Sequence, residues 1–136
     1  MKVLFTFSIA LLFSSFTFAQ SGSLTVENQT TCGYIVKAFA QDTICDSSCA
    51  TVATCIQPFS TVYLSGCSDT TLTWDRILVE PVNAEDCSYC RERGTSVGSS
   101  YGNNCLGLPT SSLSNPHCEG CEYSVTFSGP SHVIIN

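Results

Sequence analysis

Two Cys-x-x-Cys pairs stand out in the chain, Cys87-Ser88-Tyr89-Cys90 and Cys118-Glu119-Gly120-Cys121. That spacing serves three chemistries. Each pair offers two thiolates from one tight knuckle, so two pairs supply the four tetrahedral ligands of a structural zinc. His117, beside Cys118, is a further candidate ligand. The gap between the pairs, about 27 residues, exceeds the usual zinc-ribbon spacing of about 15–20. Alternatively, one pair is a redox dithiol, which needs a thiolate of lowered pKa at a helix N-terminus within a βαβ unit. Arg91 and Arg93 follow Cys90 and favour a thiolate, but no βαβ pattern surrounds them, and Glu119 inside the second pair works the other way. In the third case the pairs are disulfide staples.

The N-terminus decides among these. Lys2 precedes an apolar run to Phe18, and Thr17-Phe18-Ala19 places small residues at the −3 and −1 positions of a signal-peptidase site. The run is too short to cross a bilayer, which takes about 20 apolar residues. Residues 1–19 therefore read as a secretory signal and Gln20 as the first mature residue. No membrane insertion is expected after cleavage. The expected location is secreted, at the cell surface or in the periplasm. All ten cysteines (Cys32, Cys45, Cys49, Cys55, Cys67, Cys87, Cys90, Cys105, Cys118 and Cys121) fall in the mature part. An even count in an oxidising compartment predicts a disulfide framework rather than a metal or redox centre. One pairing has Cys87 and Cys90 bonded to Cys118 and Cys121, in either order, closing the loop between them. Cys105 then seeks a partner in the 45–55 cluster.

Other chemistry is weakly signalled. His117 and His132 are the two histidines, and no G-x-S-x-G elbow is present. Asp69, Asp75, Glu80, Glu85 and Asp86 read as a solvated acidic rim, with a glycosidase-like pair of carboxylates as the alternative. Asp42, Asp46, Glu85 and Asp86 offer oxygen ligands for calcium without an EF-hand spacing. No metal, cofactor or catalytic residue is assigned. Trp74, the single tryptophan, reads as core. Asn28-Gln29-Thr30 is a glycosylation sequon. Arg91, Arg93, Tyr101, Asn103 and Asn104 lie together in a Gly/Ser/Asn-rich stretch, and these are residue types that binding loops favour.

The charge narrows the partners. Five Lys and Arg stand against eleven Asp and Glu, for a formal net charge of −6. Nucleic acid needs clustered basic residues and is not expected as a partner, nor is electrostatic attachment to anionic lipid.

The elements that must position these residues are strands. Period-two patterns run over 23–27, 33–41, 58–64, 71–82, 122–128 and 132–135, with turn signals between them. A single helical turn is expected around 46–49, and Pro81 marks an edge or exit from the sheet. The expected fold is all-β, an antiparallel β-sandwich or small barrel of six to seven short strands. It forms one disulfide-rich domain over 20–136, with one long stapled loop at about 84–119. The function this predicts is a non-catalytic extracellular binding or structural module, a component or decoration of a surface adhesin or filament. Its contact surface is the 84–119 loop, and its partner an extracellular protein or a glycan, with assembly through edge strands as a further route. The alternatives are a small secreted hydrolase using acid–base carboxylates, and a secreted inhibitor or toxin.

Overall fold

The computed structural model describes residues 22–90, 94–114 and 122–136. The expected signal segment, Arg91, Arg93, His117, Cys118 and Cys121 lie outside them. Within the described residues the fold is all-β, with ten strands and no helix. They are β1 (Leu24–Asn28), β2 (Gly33–Gln41), β3 (Ser48–Ala50), β4 (Thr54–Ile56), β5 (Thr61–Leu64), β6 (Thr73–Val82), β7 (Thr95–Gly98), β8 (Ser111–Ser114), β9 (Tyr123–Gly129) and β10 (His132–Ile135).

Two five-stranded sheets result. The first has the order β5-β1-β10-β9-β8. The second runs β3-β2-β6-β7, with β4 also pairing to β2. All pairs are antiparallel except β1 with β10, the first and last strands. Alternation explains the core. Leu24, Val26, Val125, Phe127, Val133 and Ile135 of the first sheet are buried, as are Tyr34, Val36, Ala38, Ile77 and Val79 of the second, all in one cluster. The Tyr34 and Tyr123 rings meet at 4.8 Å between centroids and tie β2 to β9. Trp74 is buried as expected.

The strand count exceeds the six or seven expected. Four strands carry no period-two signal: β3 and β4 have three residues each, and β7 (TSVG) and β8 (SSLS) are short and small-residue-rich. The helical turn expected near 46–49 is not formed: a turn at 43–45 precedes it, residues 46 and 47 are irregular, and 48 and 49 belong to β3. The 84–119 stretch is not one loop, because β7 and β8 lie within it. Pro81 does not end its strand: it pairs with Tyr34 on β2, and β7 reaches only as far as Val79, so no ladder donor is missed there.

Three disulfides close among the described residues: Cys45–Cys105, Cys49–Cys67 and Cys55–Cys87. Cys32 and Cys90 are also disulfide-bonded. Cys105 finds its partner in the 45–55 cluster, as expected. Cys87 does not pair with Cys118 or Cys121. The turn after β6 places its sulfur against β4, where Cys55 takes it. The thiols of the first Cys-x-x-Cys are thus spent in disulfides. A small β domain with several disulfides is typical of extracellular proteins.

Candidate binding surface

The part of the 84–119 stretch between β7 and β8 is built on one irregularity in β6. Phe39 pairs with Arg76 and Ala40 with Trp74, so Asp75 is an extra residue, a β-bulge. Bulges re-aim side chains. Here the bulge keeps Trp74 in the core and buries Asp75, which is 1% exposed, beneath residues 99–108. The Asp75 carboxylate accepts the Cys105 N–H at 2.7 Å. Its backbone carbonyl accepts the Ser99 N–H at 2.6 Å. Arg76 lies 3.7 Å from the second carboxylate oxygen, and its guanidinium packs 4.2 Å over the Phe39 ring. The acidic-rim expectation fails for Asp75, because the bulge turns its side chain inward.

The loop closes on itself through Asn104. Its side-chain amide donates to the Leu108 carbonyl at 2.6 Å, and its side-chain oxygen accepts the Leu108 N–H at 2.9 Å. Asn104 has φ +44° and Gly107 φ +60°, left-handed conformations that Asn and Gly adopt most readily. Gly102 is required for closeness: a Cβ there would lie 2.5 Å from the Trp74 carbonyl oxygen. Asn103 donates to the Asp42 carbonyl at 2.9 Å, joining the loop to the turn after β2. The Cys45–Cys105 disulfide makes the same junction covalently, across a sequence separation of 60.

On this frame Tyr101, Leu106 and Ile44 stand in solvent, 52%, 61% and 76% exposed. Leu106 and Ile44 each adjoin one half of the disulfide. Of the sequence candidates, Tyr101 presents its ring, while Asn103 and Asn104 use their amides to hold the loop. Sequence reasoning missed Ile44 and Leu106, and it misplaced Asp75. A signal for the last existed: the inward residues Trp74, Ile77 and Val79 are spaced three and then two apart, and the break in alternation marks the bulge.

The remaining candidates separate. Asp42 and Asp86 accept backbone N–H groups of Asp46 and Ser88 in local turns, both at 2.9 Å. Asp69 does the same for Thr71. Hydrogen bonds from Thr71 and Ser88 hold the Asp69 and Asp86 carboxyls below the usual carboxylate range. Among the described residues no three His, Cys, Asp or Glu side chains gather as a metal site. Asn28 of the sequon is 1% exposed, and its amide donates to the carbonyls of Cys32 (2.7 Å) and Gln57 (2.9 Å). No family model, curated protein or solved structure matches the chain.

Proposed function

We propose that this is a secreted, non-catalytic extracellular binding or structural module, folded as a face-to-face β-sandwich, that decorates a surface adhesin or filament. It meets an extracellular protein partner through the 99–108 loop of the 84–119 stretch. The observation that supports this best is the trio Ile44, Tyr101 and Leu106, exposed beside a disulfide and held from below by a buried carboxylate. Large apolar side chains on a loop this firmly pinned lose little entropy on docking. The test is retention of the purified protein on the surface of the cells that secrete it. A Tyr101→Ser/Leu106→Ser variant should fold with an unchanged Tm and lose retention. Equal retention of the variant would refute the assignment.

One observation favours a hydrolase, though one of the serine type rather than the carboxylate-pair type expected from the sequence. Ser128 Oγ lies 3.0 Å from His132 Nδ1, and His132 Nε2 lies 3.4 Å from Glu27 Oε2. A serine, a base and an orienting carboxylate in sequence are the parts of an acyl-transfer relay. All three are on the open outer face of the first sheet, a poor place to exclude water. Turnover of an activated ester that disappears in Ser128→Ala would establish this reading against ours.

A further inference from the structure

β5 is the outer strand of the first sheet and pairs with β1 alone. The Asn28 N–H donates to the Ser60 carbonyl at 2.9 Å. That bond fixes the parity of the ladder, since alternate residues of an antiparallel strand turn their backbone groups to opposite sides. Val62 and Leu64 therefore direct N–H and C=O toward β1, and Thr61 and Tyr63 direct theirs outward. Among the described residues no backbone group bonds to Thr61 or Tyr63 on that side. The other edges differ. The Gly98 N–H of β7 donates at 2.9 Å to the carbonyl of Pro109, just ahead of β8, and β3 and β4 are tied down by Cys49–Cys67 and Cys55–Cys87.

Natural edge strands are blunted by lysine, inward charge, a bulge, proline, a cover or short length, and at four residues β5 has the last of these. β5 has none of the first three. Residues 57–66 (QPFSTVYLSG) carry no charge in a chain of net charge −6, and the β1–β5 register runs without a shift. Tyr63 is 72% exposed. Just ahead of the strand, Phe59 is 69% exposed and sits at φ +50°, a costly conformation for a bulky side chain.

We infer that β5 pairs antiparallel with β5 of a second copy of this chain, about a two-fold axis at Val62. Parity dictates the register. Val62 faces Val62 as a non-hydrogen-bonded pair. On each side Thr61 of one copy faces Tyr63 of the other, and each such pair exchanges two N–H···O=C bonds. The half-buried Val62 side chains, which pack on the core, meet at the axis, and each Tyr63 ring covers a Thr61 methyl. The charge pattern selects a second copy as the occupant. An acidic chain repels itself wherever its surface is charged, and this edge is neutral and self-complementary, as a closed two-fold contact requires. A four-residue strand supplies less than the usual 1,200–2,000 Å² of a stable interface, so association is weak and rises with concentration. The 99–108 loop plays no part in it, so either assignment can fail alone.

Sedimentation velocity of the disulfide-intact protein, from micromolar to millimolar, tests this. The expected result is a mass moving from one chain toward two. Tyr63→Lys, which places charge at an already exposed position, and Thr61→Pro, which deletes only an outward N–H, should each remain monomeric with an unchanged Tm. Amide exchange at Thr61 and Tyr63 should slow at high concentration, while that at Val62 stays constant. A monomer at every concentration, or a dimer that survives both variants, would overturn the inference.

Discussion

Replacing Asp75 tests whether a buried carboxylate holds the 99–108 loop. In the Asp75→Ala protein the Cys105 N–H loses its acceptor at 2.7 Å. A hydrogen bond to an ionised acceptor contributes about 1.5–3 kcal/mol, and the orphaned donor carries its own desolvation cost. Against this, the substitution relieves the burial of a charge whose second oxygen has only Arg76, at 3.7 Å, for company. The net expected loss is about 2 kcal/mol, or roughly 8 °C in Tm for a domain of this size. Asp75→Asn keeps an acceptor for Cys105 and should lose about half as much, because a neutral bond contributes about 1 kcal/mol. Thermal unfolding followed by Trp74 fluorescence, under non-reducing conditions, measures both. The sharper assay is amide exchange. Cys105 should lose protection in Asp75→Ala, and Ser99, which donates to the Asp75 backbone carbonyl, should keep it. An unchanged Tm with a still-protected Cys105 amide would refute the role, and so would Asp75→Asn proving as damaging as Asp75→Ala.

Removing disulfides as paired Cys→Ser variants should cost more the longer the loop closed. Chain entropy gives about 4 kcal/mol for Cys45–Cys105 and about 3 kcal/mol for Cys49–Cys67, whose sequence separations are 60 and 18, and urea unfolding of the two variants ranks them. Expression in a glycosylating host should leave the mass at Asn28 unchanged, because its amide is buried and already donates twice. Asn28→Ala should cost about 1–3 kcal/mol by stranding two carbonyls, as denaturation would record. Burial raises the Tyr34 pKa above the usual tyrosine value. Its contribution to stability is therefore complete below the unfolded-state pKa and lost as pH rises through the folded one, so Tm should fall in strong alkali, less steeply in Tyr34→Phe. Asp69 and Asp86, with lowered pKa values, act in the opposite sense. Their turns are held above the unfolded carboxylate pKa and loosen as pH falls through the depressed ones, and a carboxyl NMR titration should find both below the ordinary aspartate value.

The long strands were legible because burial on one face writes itself into the chain at period two. β1, β2, β6, β9 and β10 each alternate over enough residues to show it. β7 and β8 were not, because their sequences, TSVG and SSLS, are those of a loop. Position in the sheet, beside longer partners, makes them strands. Cysteine pairing was hidden for a related reason: sequence brings Cys87 and Cys90 together, but the sulfur of Cys87 meets β4, a strand too short to be read. At the candidate surface, composition pointed to Tyr101 and the asparagines. It gave no sign that the asparagines would serve the loop itself, since that depends on φ values and a carbonyl four residues away.

The placement of the disulfides bears on what the domain is for. Each of the three described has one end in the 45–55 segment, and the other ends reach three different connections, at Cys67, Cys87 and Cys105. None joins a strand of one sheet to a strand of the other. Cys49–Cys67 reaches the edge of the core, where Cys67 is buried, but the centre, headed by Trp74, Tyr34 and Tyr123 from both sheets, is held without a cross-link among the described pairs. Cross-links there would constrain what packing already holds. In the connections, where few apolar contacts oppose local opening, a covalent tie suppresses fluctuations that the core cannot reach. Cys45 and Cys87 even sit at φ +61° and +54°, conformations that cost an ordinary side chain energy and persist where the surroundings over-determine them. Cys45–Cys105 and Cys55–Cys87 thus hold connections at the surface. That distribution suits a protein whose loop shapes are what it presents to a partner, and it is why Ile44, Tyr101 and Leu106, rather than a cleft in the core, are the first side chains to alter.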